Sequence, residues 1–255
     1  MLTQAQISEF FATGYLVLPR TFDAGEVSAL EAGFRRLEAR AERLAESAVV
    51  DGASFVIERR ASGALRIERI VWCGAAEPDL LRLAHTRSLV VPVAELLGGP
   101  EMDQLINQAH IKNPGDGTTF HFHQDSYHRR YGTDLFTDVN GRGSFVQCLT
   151  AVDPMSAENG GLWVVPGSQL AGHIPTPDGR LPPGSFDAGL AVPLTLEAGD
   201  SVLFGPFAVH GSGLNTGSTP RRVLINGFAC PGANRRVYPG SGTGLRLRAW
   251  EKHAA

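Results

Sequence analysis

The chain has 255 residues, 43% hydrophobic and 19% charged, with a net charge of −3; that length supports one large domain or two small ones and gives no electrostatic case for nucleic acid or a membrane surface. Cys73, Cys148 and Cys230 lie far apart in the chain, which excludes a disulfide framework or zinc ribbon and favours a reducing compartment. The first residues lack the basic and apolar segments of a signal peptide, and no apolar stretch nears the roughly 20 residues of a membrane span, so the expectation is a cytoplasmic protein.

The amino-terminal third reads helical. Thr3 and Gln6 make a capping box for a helix over Gln4–Ala12 that Gly14 ends, and Tyr15–Leu18 follows as a strand. Asp23 and Glu26 cap a longer helix with Val27, Leu30, Phe34, Leu37 and Leu44 at helical spacing. Its Arg/Glu runs read as a solvated face. Ser54–Ile57 and Leu65–Trp72 pattern as a strand pair, and Asp79–Leu97 as one more helical segment.

From residue 104 the texture changes. The thirty glycines and sixteen prolines fall mostly beyond residue 95, and they separate short β runs. The runs are Gln104–Lys112, Thr119–Gln124, Ser144–Val152, Leu162–Val165, Ala191–Leu196, Ser201–Phe204, Ala208–His210 and Arg222–Cys230. Eight strands without long helices between them argue for a mainly β jelly roll or barrel flanked by amino-terminal helices, not a doubly wound sheet. The expected organisation is a single domain over 1–255, with 1–100 a mostly helical flank and 101–235 the jelly-roll core. Ala171–Leu190, rich in Pro, Gly and Asp, reads as an insertion loop at the barrel mouth, and Gly240–Gly244 as a mobile connector.

Residues 120–125 read F-H-F-H-Q-D. Alternate residues of a strand share a face, so His123 and Asp125 offer an imidazole and a carboxylate to one point. His210, at the end of V-L-F-G-P-F-A-V-H, is the best third ligand. Two histidines and a carboxylate that leave other positions open suit non-heme Fe(II). His121 offers a second pairing with His123, as in a cupin, but Ser126–Gly132 lacks the glutamate that such a site needs.

H-Q-D at 123–125, E-N-G-G-L-W-V-V-P-G-S at 158–168 and H-G-S-G-L-N…R from His210 to Arg221 resemble the phytanoyl-CoA dioxygenase family. Those proteins are Fe(II)/2-oxoglutarate-dependent oxygenases built on a double-stranded β-helix. The resemblance extends over most of the chain and implies the metal set His123, Asp125 and His210. It selects Arg221 over Arg222 for the distal carboxylate of 2-oxoglutarate, with Ser212 beside it and Lys112 and Phe120 nearby. It also implies O2 as co-reactant. Gly160, Gly161 and Pro166–Ser168 shape turns. Leu149 stands where many members carry tryptophan, and Gln169 where a histidine is usual.

Gln108, His110 and Lys112 share one strand face, and the resemblance turns that face inward, making Gln108 a substrate residue. After Asp125 comes S-Y-H-R-R-Y; if the strand continues, alternation sends Tyr127 and Arg129 to the metal side, where a guanidinium clamps an anion. The expected activity is hydroxylation of a small anionic or zwitterionic metabolite. The alternatives are a non-catalytic binding protein of the same fold and a zinc hydrolase. Arg221 with Ser212 argues against both, because neither needs a 2-oxoglutarate anchor. Asp125 argues against a halogenase, since halogenating relatives replace that carboxylate.

Overall fold

The computed structural model describes residues 1–61 and 63–250. Helix α1 (Gln4–Thr13) begins at the reciprocal Thr3–Gln6 capping box and ends at Gly14, whose φ of 89° a side chain would resist. Strand β1 (Tyr15–Leu18) leads to helix α2 (Ala24–Ala41), capped by Asp23 and Glu26, which turns Leu30, Phe34 and Leu37 into the core. Strands β2 (Ala48–Val50), β3 (Ala53–Arg59) and β4 (Leu65–Val71) precede helices α3 (Pro78–Ala84) and α4 (Arg87–Leu97). Then come β5 (Glu101–Lys112), β6 (Phe120–His123), the short helix α5 (Asp125–Arg129), β7 (Phe145–Ala151) and β8 (Leu162–Val164). The chain closes with β9 (Val192–Pro193), β10 (Ser201–Phe204), β11 (His210–Ser212), β12 (Arg221–Ala229) and β13 (Leu245–Arg248).

Two antiparallel sheets form the expected jelly roll. The larger runs β1-β10-β7-β12-β5-β4-β3-β2, and β13 also pairs with β5; the smaller runs β6-β11-β8-β9. Strand β5 is 12 residues long, so one edge carries β4 near Gln108 and β13 near Gln104. Leu149, Met155, Leu162, Val164, Phe204 and Val223 pack into one cluster joining the two sheets. A larger core, with Phe34, Phe55, Leu80, Leu89 and Phe228, seats the helices on the large sheet. Along β12, Val223 enters the first cluster and Leu224 the second, as strand alternation requires.

Several expectations change. The described residues among the first 100 carry four α-helices and also extend the large sheet, because β1 to β4 all join it. The segment Asp79–Leu97 breaks at His85 and Thr86 into α3 and α4. The run Ala191–Leu196 keeps only two ladder residues, since Pro193 lacks an N–H, although Leu194 still donates to the Leu162 carbonyl at 2.9 Å. The sheet also outlasts residue 235, through β13.

Gly240–Gly244, expected as a connector, forms a hydrogen-bonded turn packed on the body of the protein. Tyr238 and Gly242 exchange backbone hydrogen bonds of 2.7 and 3.1 Å, and Ser241 Oγ donates to the Leu105 carbonyl at 3.1 Å. Gly240 sits at φ +82° so close to Trp72 that a Cβ there would lie 1.9 Å from the indole. Residues 251–255 of the expected domain lie outside the described residues. Among the described residues no helix is long and apolar enough to cross a membrane.

Candidate active site

Strands β6 and β11 pair with His123 opposite His210, and Asp125 opens α5 two residues after His123. The His123 and His210 rings lie 4.3 Å apart, and His123 Nε2 is 4.0 Å from Asp125 Oδ1. One donor atom from each of the three residues falls within 4.8 Å of the other two. A backbone bulge between His210 and Ser212 accompanies this approach. Gly211 permits it, because a Cβ there would stand 2.9 Å from the Phe120 carbonyl oxygen.

Both imidazoles are oriented from behind. His123 Nδ1–H donates to the His121 carbonyl at 2.7 Å, and His210 Nδ1–H to the Ala208 carbonyl at 2.9 Å. Each Nε2 is thereby left with a lone pair facing the gap. Burial holds the His210 pKa down to about 4, so the ring is neutral at neutral pH. Burial opposes ionisation of Asp125, but His210, His123 and Arg129 together outweigh it and hold the carboxyl below its ordinary range. Asp125 Oδ2 is buried without a hydrogen-bond partner. A buried carboxylate oxygen is costly to leave unpaired, and a cation held by two Nε2 atoms and this oxygen satisfies it. The donor set fits a divalent metal. His121, one full strand period before His123, lines the cavity but stays outside this cluster, and its carbonyl takes the His123 Nδ1–H.

The three residues open onto a cavity of about 670 Å³. On one side Arg221, 3% exposed, donates from Nη2 to the Gly160 carbonyl at 2.8 Å, while its Nε is buried without a partner. Burial lowers its pKa to about 10. Its neighbour Arg222 turns to the other face and forms a bidentate pair with Asp153 at 2.8 and 2.6 Å. Lys112 pairs in register with Arg221, and its Nζ donates to Ser212 Oγ at 2.7 Å and the Gly213 carbonyl at 2.6 Å. Burial, reinforced by Arg221, drops the Lys112 pKa to about 7. Phe120 lies beneath this ammonium, 5.3 Å from ring centroid to Nζ. Gln108, His110, Phe120, Ser212 and Arg221 all line the cavity; Lys112 stands behind Ser212. Burial holds His110 neutral, with a pKa of about 3, and its Nε2 meets Gln108 Oε1 at 3.0 Å.

The segment after Asp125 is helix, not strand. In a helix, positions i+3 and i+4 return to the face of residue i, whereas i+2 points away. His128 and Arg129 therefore line the cavity with Asp125, and Tyr127 does not. Tyr127 instead packs under Gly179, where a Cβ would lie 2.8 Å from its ring. Strand alternation thus reaches Arg129 by the wrong geometry and misplaces Tyr127.

Gln124, the middle residue of H-Q-D, closes the loop 171–190 over the site. Its Nε2 donates to the Gly172 and Phe207 carbonyls at 2.9 and 2.7 Å, and its Oε1 accepts from Ile174 N–H at 2.9 Å. Asp178, Gly179 and Arg180 of that loop border the cavity. Leu149 is part of its wall, and Gln169 ties the loop's start to α1 through the Phe11 carbonyl at 3.0 Å. Sequence reasoning missed His128, Arg69, Arg236 and Tyr238. Helical spacing from Asp125 marks His128; the other three carry no local signal.

Comparison with known proteins follows the same lines. The family model described as phytanoyl-CoA dioxygenase (PhyH) matches residues 10–223. The L-proline trans-4-hydroxylase of Streptomyces griseoviridis is 27% identical over 239 residues, covering 83% of this chain and 81% of that protein. Dioxygenase cdmD of Talaromyces verruculosus is 31% identical over 136 residues, 52% of this chain, and the match spans only 42% of that longer protein. Among solved structures, the epimerase SnoN in complex with Fe3+, alpha ketoglutarate and nogalamycin RO superposes with a TM-score of 0.69 at 20% identity, covering 96% of this chain and 94% of SnoN.

Proposed function

The chain belongs to the phytanoyl-CoA dioxygenase family, and from that we propose that it is a single-domain Fe(II)/2-oxoglutarate-dependent dioxygenase that hydroxylates a C–H bond of a small metabolite. The observation that carries this reading is one cavity with two unmet needs. Asp125 Oδ2 lacks a partner beside two free imidazole nitrogens, and Arg221 Nε lacks one further along the wall. The first need suits iron and the second a carboxylate.

His123, Asp125 and His210 would hold the metal. Bound there, iron and 2-oxoglutarate supply oxidation of the substrate by O2, with release of succinate and CO2. Arg221 offers its planar fork to the distal carboxylate of 2-oxoglutarate. Lys112 holds Ser212 and Phe120 against that end. Gln108 and neutral His110 line the wall beside the reacting centre, and the loop 171–190 limits its exposure to water. The partner is a small molecule, not nucleic acid or membrane, and Cys73, Cys148 and Cys230, all free and buried, support a cytoplasmic setting.

The test is anaerobically prepared protein supplied with Fe(II), 2-oxoglutarate and O2 across a panel of free amino acids, hydroxy acids and other small carboxylates. Similarity to an L-proline hydroxylase puts imino acids early in the panel. The expected result is succinate formed in step with a product one oxygen heavier. A product of unchanged mass would make the protein an epimerase, the activity named for SnoN. Hydrolysis with 2-oxoglutarate untouched would overturn the reading in favour of a zinc hydrolase.

A further inference from the structure

Arg129 is only 6% exposed, yet its Nε and Nη1 are buried with no hydrogen-bond partner, and among the described residues no carboxylate forms an ion pair with it. Its guanidinium carbon lies 5.2 Å from the Phe145 ring centroid and 5.0 Å from that of Tyr238. Two aromatic contacts hold the guanidinium in place but leave its N–H groups unanswered. Arg129 lines the cavity. Its neighbours have charge partners or acceptors: Arg66 and Arg69 both reach Glu68, although Arg66 Nε is also buried without a hydrogen bond, and Arg236 donates to the His128 carbonyl at 2.7 Å.

This guanidinium is separate from the one assigned to 2-oxoglutarate. Arg221 opens the nine-residue strand β12, whereas Phe145, beside Arg129, pairs with Ala229 at its other end. Eight steps of about 3.3 Å put those ends roughly 26 Å apart. Even with both side chains reaching inward, a five-carbon dicarboxylate anchored on Arg221 does not extend to Arg129. His123 and His210 lie on the smaller sheet and Asp125 at the start of α5, and all three line the same cavity as Arg221 and Arg129. Asp125 feels this charge through space but takes no hydrogen bond from it, so the unmet donors call for a further anion, and one planar guanidinium fork matches one carboxylate.

We propose that Arg129 is the substrate anchor, receiving the carboxylate of a monoanionic or zwitterionic acid whose reactive C–H then points toward the metal. Tyr238 and Phe145 are positioning residues that hold the guanidinium in place. Tyr238 lies beyond residue 223, where the family match ends, so this wall is supplied by a part of the chain that the family pattern does not describe. The proposal rests on the dioxygenase reading for what happens to the bound acid, but not for the binding itself.

The test is calorimetric titration of full-length protein, with and without Mn(II) and 2-oxoglutarate, using hexanoate, benzoate and phenyl phosphate as probes. Hexanamide and benzamide serve as uncharged counterparts. With Mn(II) and 2-oxoglutarate in place, at least one carboxylate should bind wild type tenfold or more tightly than its amide, as a charge-assisted hydrogen bond implies. Arg129→Gln should erase that preference and Arg129→Lys should keep part of it, while both retain wild-type affinity for 2-oxoglutarate. Equal binding of acid and amide, no carboxylate binding, or an unchanged Arg129→Gln variant would each overturn the anchor. Carboxylate binding lost in Arg221→Gln and competed by 2-oxoglutarate would also overturn it, by placing the probe in the cosubstrate site. Tighter binding of phenyl phosphate than benzoate would contradict the monoanion. If circular dichroism shows Arg129→Gln unfolded, Arg129→Lys decides. Wild type that binds carboxylates but not 2-oxoglutarate would sink the dioxygenase reading and leave the anchor standing.

Discussion

At the scale of single residues, the site is organised by which polar atoms are answered and which are not. The two histidines are answered at Nδ1 by backbone carbonyls, so their Nε2 atoms face the gap beside Asp125, whose Oδ2 nothing answers. Arg221 and Arg222 divide in the same way. Arg222 is paired with Asp153, and Arg221 keeps Nε open to the cavity. Arg221→Ala should therefore weaken 2-oxoglutarate binding about ten- to a hundredfold, the loss of roughly 1.5–3 kcal/mol for a charged hydrogen bond. Arg222→Ala should leave that affinity alone and lower stability instead; equal effects on calorimetric affinity would reject the assignment. Lys112 gives a pH signature. Its folded pKa of about 7 lies below the ordinary 10.5, so between those values the unfolded chain binds the extra proton. Stability on its account rises with pH across that window. Urea denaturation of wild type should gain stability from pH 7 to pH 10 relative to Lys112→Met, and a constant difference would contradict the assignment. The convergence of His123, Asp125 and His210 and the inward placement of Arg221 were legible in the sequence because short motifs carry these residues. The missing partners of Asp125 and Arg221 were not, since burial arises only on folding.

At the scale of elements, one boundary decides which side chains enter the cavity. Strand β6 stops at His123 and α5 starts at Asp125. Sequence alternation carried the strand further and so assigned Tyr127 to the cavity, where helical periodicity brings His128. The tight turn was concealed because Q-D-S-Y-H-R has no glycine or proline to announce it. Gln124 sits at this boundary, and its side-chain amide is the tie between the metal segment and the loop 171–190. Gln124→Ala would strand two carbonyls and an N–H, at about 1–3 kcal/mol for each group left buried and unmet. Faster hydrogen exchange confined to residues 172–190 is the expected result, and unchanged exchange there would refute the tie. Gly211 sets the other boundary: Gly211→Ala places a Cβ against the Phe120 carbonyl and should abolish metal binding while far-ultraviolet circular dichroism stays native. Retained metal affinity would show that β6 and β11 can part without harm to the site.

At the scale of the whole molecule, the jelly roll was legible from its alternation of short strands and turns, but its extent was not. Strands β1, β3 and β4 pattern as strands in the sequence, and β2, β3 and β4 pair locally. But β1 joins the large sheet through β10, β4 through β5 and β13 through β5, and those partners lie too far away in sequence for local pattern to reveal them. The same holds for the wall around Tyr238, fixed by the packing of Gly240 on Trp72. Gly240→Val should displace this wall and lower the melting temperature by several degrees, consistent with about 1–3 kcal/mol for overpacking. An unchanged melting temperature and tryptophan fluorescence would show that the turn is not held there. The central claim is that these sheets exist here to hold iron and 2-oxoglutarate together. Its most direct test is visible absorption on anaerobic addition of Fe(II) and 2-oxoglutarate to the full-length protein. A charge-transfer band should appear in wild type and vanish in His123→Ala, Asp125→Ala and His210→Ala, each still folded. No band in wild type, or a band that survives His123→Ala and is lost in His121→Ala, would contradict the account.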